Sequence, residues 1–393
     1  MSDSKATRCN PIFRLNWVLL VGMMLLTGIG TLFIFSACSI REGDRLQELY
    51  RMHAGTAAIG LLCYVALAWV NYRSLLRLSW LFYLGALALL IAVLLFGTSQ
   101  MGARRWVFGV QPSEIAKLAV ILLLAWFLGR RGAGRGVGAF FAVLGLMVAP
   151  VLLVLRQPDL GTALVFVPTV FSMLFTARVS QRACWITLAV GAVAAVWVVS
   201  IVSIVETRQI DERTEGRLRM ATGLNHYQQD RLASFLFPDR DPHGGGWNKR
   251  QSEIAVGSGG LWGKGLRKGD QNLLGYLPQC VSSNDFIFSV LAEEAGFVGS
   301  LVVLALYALV IGAVLVVGVT CPDGVGRLIC VGVATLLFCH VFVNIAMTVG
   351  LLPITGLPLP FISYGRTCLL TLMVALGFVQ SVAIHGRQAA PCF

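Results

Sequence analysis

Runs of roughly 20 apolar residues recur along this chain, separated by short charged breaks. A helix of about 20 residues crosses a hydrocarbon core about 30 Å thick, and inside that core a helix pairs its backbone N–H and C=O groups internally. The runs are Leu15–Ala37, His53–Val70, Leu78–Phe96, Glu114–Leu128, Val137–Leu155, Leu160–Ala177, Trp185–Val205, Phe297–Val319, Leu328–Leu352 and Phe361–Val382. They predict an all-α polytopic membrane protein with ten transmembrane helices. The first run is long enough to span and has no small-residue cleavage site after a shorter core, so it reads as a span rather than a cleavable signal.

Composition agrees. Hydrophobic residues make up 57% of the chain and charged residues 13%, against about 45–50% and about 25% in a soluble globular protein. So little polar surface excludes both a soluble enzyme and a disordered chain. The net charge of +12 is scattered over short loops, which fits contact with membrane lipids and not with nucleic acid. With the N-terminus inside, the inner segments hold twelve Lys and Arg (Lys5, Arg8, Arg14, Arg73, Arg77, Arg130, Arg131, Arg135, Arg178, Arg182, Arg327, Arg387). The short outer loops hold six (Arg41, Arg45, Arg51, Arg104, Arg105, Arg156). That bias puts both termini in the cytoplasm. The ten cysteines show no zinc-site spacing; Cys38 and Cys280 fall in candidate exterior loops where they could pair.

The whole of residues 1–393 reads as one membrane domain interrupted by one long extracytoplasmic loop, 206–294, between the seventh and eighth helices. That loop carries twelve of the nineteen acidic residues and shows no obvious secondary structure. A loop of this kind is usually functional or disordered. Its Tyr227, Leu236, Phe237, Trp247, Trp262, Leu273 and Tyr276 are expected to pack it onto the membrane face.

Ionisable residues at helix ends are costly in a bilayer and mark candidate sites. Glu114 and Lys117, three apart on one face, form an ion pair that is either structural or part of the chemistry. Asp159 caps the sixth helix or serves a site. His340 and Asn344, four apart, read as interhelical hydrogen-bonding groups. The Gly257–Lys268 segment, with Ser258 and the cations Lys264, Arg267 and Lys268, suits a phosphate or diphosphate, or is a mobile glycine loop. Asp285, after Ser283 and Asn284, stands where the loop returns to apolar sequence. Its spacing fits a helix N-cap slightly better than a general base; Glu293 and Glu294 then mark the membrane boundary.

Together these segments resemble a known family. GARRW at Gly102–Trp106 with QPSEIAK at Gln111–Lys117, QPDLGTA at Gln157–Ala163, QSEIAVGSGG at Gln251–Gly260, DFIF at Asp285–Phe288 with Glu293–Glu294, and LPITGLPLPFISYG at Leu352–Gly365 are similar, in order, to the SEDS proteins of bacterial cell shape and division, the RodA/FtsW/SpoVE group. The 356–360 run, Met347 and the short tails look more like the elongation branch than the division branch. The resemblance implies a peptidoglycan glycosyltransferase of the bacterial inner membrane. It would polymerise lipid II, release undecaprenyl diphosphate, and work beside a class B penicillin-binding transpeptidase. It places the family's essential loop aspartate on Asp285, as general base, and its intramembrane ion pair on Glu114 and Lys117. Arg104, Arg105, Lys264 or a divalent cation would meet the diphosphate charge, with Asp159 supporting the same face. Two departures stand out: Ser283-Asn284 where the family usually reads His-Thr, and Arg366 where it usually has glycine. Arg366 either reaches a lipid diphosphate or snorkels to the interface. A lipid II flippase and a non-catalytic scaffold for the transpeptidase remain as alternative readings.

Overall fold

The computed structural model describes residues 15–39, 48–100, 103–107, 109–130, 136–207, 217–218, 220–240, 244–276 and 282–386. Cys280, Gly102 and the cations Lys5, Arg8, Arg14, Arg41, Arg45, Arg131, Arg135 and Arg387 lie outside the described residues. Among the described residues twelve helices and one hairpin organise the fold: α1 (Trp17–Ser39), α2 (Leu49–Trp69), α3 (Ser79–Phe96), β1 (Thr98–Gln100), β2 (Ala103–Trp106), α4 (Pro112–Gly129), α5 (Val137–Arg156), α6 (Leu160–Thr176), α7 (Gln181–Thr207), α8 (His226–Leu236), α9 (Gly245–Ser258), α10 (Ile287–Thr320), α11 (Gly324–Thr348) and α12 (Arg366–His385). Three shorter helical turns accompany them. The ten expected spans correspond to α1–α7 and α10–α12. Nine of these are long and apolar enough to cross a membrane, and α6 is a shorter apolar helix.

The most buried spans, α4, α11 and α12, form the centre. The last of these packs chiefly on α2, α10 on α11 and α1, and α11 on α6 and α4. Lipid-facing surface accounts for the exposed Leu81, Phe82 and Leu84 of α3 and the Trp185, Ile186 and Trp197 of α7, because in a bilayer apolar side chains face outward as readily as inward. Alternating direction brings the ends of α3 and α4 joined by the hairpin, the start of α6, the start of α10, the end of α11 and the start of α12 to one face. That face, which also carries the described residues between α7 and α10, is called the loop face below.

Three expectations change. The last span was expected from Phe361 and the ninth to Leu352, but α11 stops at Thr348 and α12 starts at Arg366. Between them Gly350 and Gly356 take φ of +78° and +74°, and Pro353, Pro358 and Pro360 cannot continue a helix. Hydrophobicity alone hid this break. Next, α10 begins at Ile287, ahead of the expected Phe297, and is broken inside at Gly296 (φ 69°, ψ −167°). Finally, the long segment does contain helices. A capping box, Asn225 with Gln228, starts α8, a signal present in the sequence at the right spacing. Of the aromatics expected to hold this segment down, Trp247 stacks edge-on against Tyr276 at 6.2 Å, whereas Trp262 is 79% exposed. Cys38 is a buried free thiol.

Candidate active site

A polar frame runs through the bundle below the loop face. Lys117 Nζ donates to Glu114 Oε1 at 2.7 Å and lies 2.6 Å from His340 Nε2, with all three side chains buried. With Lys117 donating, Nε2 is the acceptor and His340 Nδ1 donates to the Pro358 carbonyl at 3.3 Å. One turn along α11, Asn344 Nδ2 donates to the Leu357 carbonyl at 2.7 Å and to the Asp285 carbonyl at 2.9 Å. His340 thus bonds helix to helix, through Lys117 of α4, and with Asn344 it also anchors the non-helical 349–365 segment. The Glu114–Lys117 ion pair stands as the spacing predicted.

Asp285 is not a cap. The residue preceding α10 is Phe286, and no side chain caps that helix. The Asp285 carboxylate is half-buried and faces Gly356: a Cβ on that glycine would sit 3.4 Å from Asp285 Oδ2, 3.6 Å from Arg231 Nη1 and 3.8 Å from Arg105 Nη1. One bare backbone position thus stands between a carboxylate and two guanidiniums. Burial pushes the Asp285 carboxyl above the usual carboxylate range; Arg231 and then Arg105 pull it back without undoing the rise, and Asp159 adds to it.

The two arginines are held from different elements. Arg105, on β2, hydrogen-bonds the Pro158 carbonyl and lies 3.9 Å from Asp159 Oδ1. Arg231, on α8, donates to the Ile354 carbonyl at 2.8 Å and to the Tyr227 hydroxyl. Both lie over the Tyr227 ring, at 6.0 and 4.6 Å from its centroid. Asp159 both caps α6, accepting from Thr162 N at 3.3 Å, and supports the site, accepting from Gln111, Ser113 and the Thr162 hydroxyl. The two readings of Asp159 are compatible.

Two cavities open beside Asp285. One, about 290 Å³, is lined by α8 and α9 residues including Asp230, Arg231 and Lys249. The other, about 310 Å³, lies between the base of the hairpin, the turn that joins β2 to α4 and the start of α12, and is lined by Trp106, Gln111, Asn284 and Arg366 among others. Asp285 is the residue their linings share. Sequence reasoning missed Arg231 and Tyr227 as a pair; their i,i+4 spacing follows only once α8 is recognised as a helix.

Lys264 and Ser258 line neither cavity. Lys264 Nζ binds Glu293 Oε1 at 2.7 Å, Asp270 Oδ2 at 2.9 Å and Ser258 Oγ at 2.9 Å. The backbone of the glycine loop around it stitches the break in α10. Lys264 N and Gly265 N donate to the Glu293 and Glu294 carbonyls at 3.0 and 2.9 Å, and Phe297 N donates to the Gly260 carbonyl at 2.9 Å. Glu294 in turn accepts from Ser36 of α1. Glu293 and Glu294 are therefore buried and paired. Arg104 is exposed on β2 and lines neither cavity. Among the described residues no three His, Cys, Asp or Glu side chains gather into a metal-holding group.

An all-helical polytopic membrane protein, with a carboxylate and two guanidiniums between two cavities at one bilayer face, is the class these features define. A family model described as cell cycle protein, FtsW/RodA/SpoVE, matches residues 16–388, and the chain belongs to that family. It is 37% identical over 91% of its length to the peptidoglycan glycosyltransferase MrdB of Escherichia coli K12, covering 92% of that protein. It is 33% identical over 97% of its length to the peptidoglycan glycosyltransferase RodA of Treponema pallidum, covering all of it (100%). Among solved structures it is similar to a chain described under "Structural coordination of polymerization and crosslinking by a peptidoglycan synthase complex" (TM-score 0.75, 30% identity, 95% of this chain and 99% of that one). It is also similar to the rod shape determining protein RodA of Thermus thermophilus (TM-score 0.66, 28% identity, 95% and 98%).

Proposed function

We propose that this protein is a peptidoglycan glycosyltransferase that joins two lipid-linked sugar chains, with Asp285 as general base. The observation that carries the reading is the position of Asp285 as the residue shared by two cavities. A transfer between two large substrates needs two places and one proton acceptor between them. Asp285 takes the proton from the acceptor's sugar hydroxyl as that oxygen attacks the donor's anomeric carbon. The bond from that carbon to the diphosphate oxygen breaks, and the diphosphate leaves with the electron pair.

A carboxyl titrating above its ordinary range is a stronger base than a free one. Arg231 and Arg105 favour its ionised form, and Gly356 leaves room at its oxygen. The frame of Lys117, His340 and Asn344 holds the backbone beneath. Lipid II is the substrate this reading assigns, with the lipid tails lying in the bilayer beside the loop face. The loop face would be extracytoplasmic in the bacterial inner membrane, because Arg73, Arg77, Arg130, Arg178, Arg182 and Arg327 all fall on the opposite face. A membrane-bound transpeptidase of the class B penicillin-binding type is the partner, a reading supported by the likeness to a chain of a peptidoglycan synthase complex.

The test is glycan synthesis from purified lipid II in liposomes, with and without such a transpeptidase, beside Asp285→Asn. Loss of a general base costs about 10²–10⁴-fold in rate. Strands from the intact protein and none from the variant are expected. Strands from both would remove Asp285 as the base, and lipid movement without strands from either would turn the reading to a flippase.

A further inference from the structure

Arg366 is the first residue of α12 and is exposed at its loop-face end. Its side chain extends back over the turn that joins β2 to α4. A Cβ on Gly109, where φ is +73°, would lie 3.5 Å from Arg366 Nη2. With Trp106, Gln111 and Asn284 it lines the 310 Å³ cavity that reaches Asp285. The wall is continuous: Tyr364 N donates to the Ser283 carbonyl at 3.0 Å and Ser363 Oγ to the Asn284 carbonyl at 2.5 Å. The Ser283–Asn284 backbone is thus tied by hydrogen bonds to Ser363 and Tyr364, two to three residues ahead of Arg366.

The other cations near Asp285 are already engaged. Arg105 is bound to Pro158 and Asp159, Arg231 to Ile354 and Tyr227, and Lys249 to the Phe235 carbonyl and, at 3.9 Å, to Glu253. Arg366 has no such ion pair among the described residues. We infer that the 310 Å³ cavity takes the donor and that Arg366 binds its diphosphate there, the guanidinium meeting the charge that grows on the leaving group. This rests on the glycosyl-transfer reading above.

The level is right for that ligand. A residue opening a membrane span sits at the interface, where the phosphates of a lipid-linked sugar also lie. In a glycosyl diphosphate the first phosphate is bonded to the anomeric carbon. A cavity holding that carbon against Asp285 therefore has the phosphate beside the reacting centre. A guanidinium presents a planar fork that matches two phosphate oxygens, and lysine presents a point charge. Bilayer phospholipid offers the same phosphate chemistry, so the test must separate the two sources.

The experiment uses the full chain in liposomes of phosphatidylcholine, with and without phosphatidylglycerol, and a short-chain polyprenyl diphosphate as probe. Probe binding is read by thermal stabilisation and needs no turnover; strand synthesis supplies kcat and KM in parallel. Losing a charge-assisted hydrogen bond predicts an affinity for the probe about tenfold or more weaker in Arg366→Gln, equally in both lipids. Arg366→Lys, which keeps the charge and loses the fork, is expected to bind more tightly than Arg366→Gln and less tightly than the intact protein, a graded order a misfolded chain would not give. Equal binding by the intact protein and Arg366→Gln overturns the assignment. So does a difference that vanishes when phosphatidylglycerol is added, because that gives the guanidinium to the bilayer. Arg366-dependent probe binding without strand synthesis by the intact protein would sink the transferase reading and leave the diphosphate site standing.

Discussion

Asn344 holds Asp285 by its backbone: the amide nitrogen on α11 donates to the Asp285 carbonyl at 2.9 Å, and its second hydrogen goes to the Leu357 carbonyl at 2.7 Å. One buried side chain thus fixes the carboxylate-bearing residue against the segment that carries Gly356. Asn344→Ala strips both carbonyls of their donor, at about 1–3 kcal/mol for each one left buried and unpaired. Because a displacement near 1 Å can cost about 100-fold in rate, strand synthesis should fall further than the melting temperature of the purified protein suggests. Equal, small changes in both would deny Asn344 a positioning role.

Gly356→Ala tests the gap between Asp285 and the arginines. The backbone there, with φ at +74°, costs a residue with a side chain about 1–2 kcal/mol. The methyl group would also stand 3.4 Å from Asp285 Oδ2, in the space the acceptor hydroxyl needs. Activity should drop at least tenfold at a stability cost of only about 1–2 kcal/mol, measured by synthesis rate and thermal unfolding together.

The pH profile follows from the direction of the Asp285 shift. The base works when ionised, and its carboxyl titrates above the ordinary carboxylate range because burial outweighs the arginines. Activity should therefore fail on acidification at a higher pH than a free carboxylate would give. Removing a cation raises the carboxyl further, so Arg231→Gln should move the acid limb of kcat/KM to higher pH. An acid limb that stays in place, or moves down, would contradict this account.

Glu114 and Lys117 should behave as a unit. Removing one partner leaves a buried charge uncompensated and costs about 3–5 kcal/mol, whereas replacing both with apolar residues of similar size is often close to neutral. Lys117→Met alone should lower the yield and melting temperature of the purified protein. Glu114→Gln combined with Lys117→Met should recover much of that loss. Strand synthesis should stay impaired in the double variant, because His340 loses the partner that orients it toward Pro358. Losses that simply add would show the pair to be uncoupled.

Much of the molecule was written in the order of its residues. The apolar runs determined ten helices, because a bilayer leaves the backbone no other local way to pair its polar groups, and the Glu114–Lys117 pair was fixed by helical spacing alone. Asp285 could be singled out, but its spacing favoured a cap. Only the folded chain showed that Phe286 takes the position before α10 and that the carboxylate lies between two cavities. Likewise Lys264 looked like the phosphate cation, yet the break at Gly296 draws its loop into repairing α10. Arg231 drew no notice, although it approaches the site from another part of the chain. Those outcomes depend on which groups, distant in sequence, meet at the loop face. Hydrophobic period and helical spacing act over a few turns, whereas the pairing of a charge is decided by whichever partner tertiary packing brings within about 4 Å.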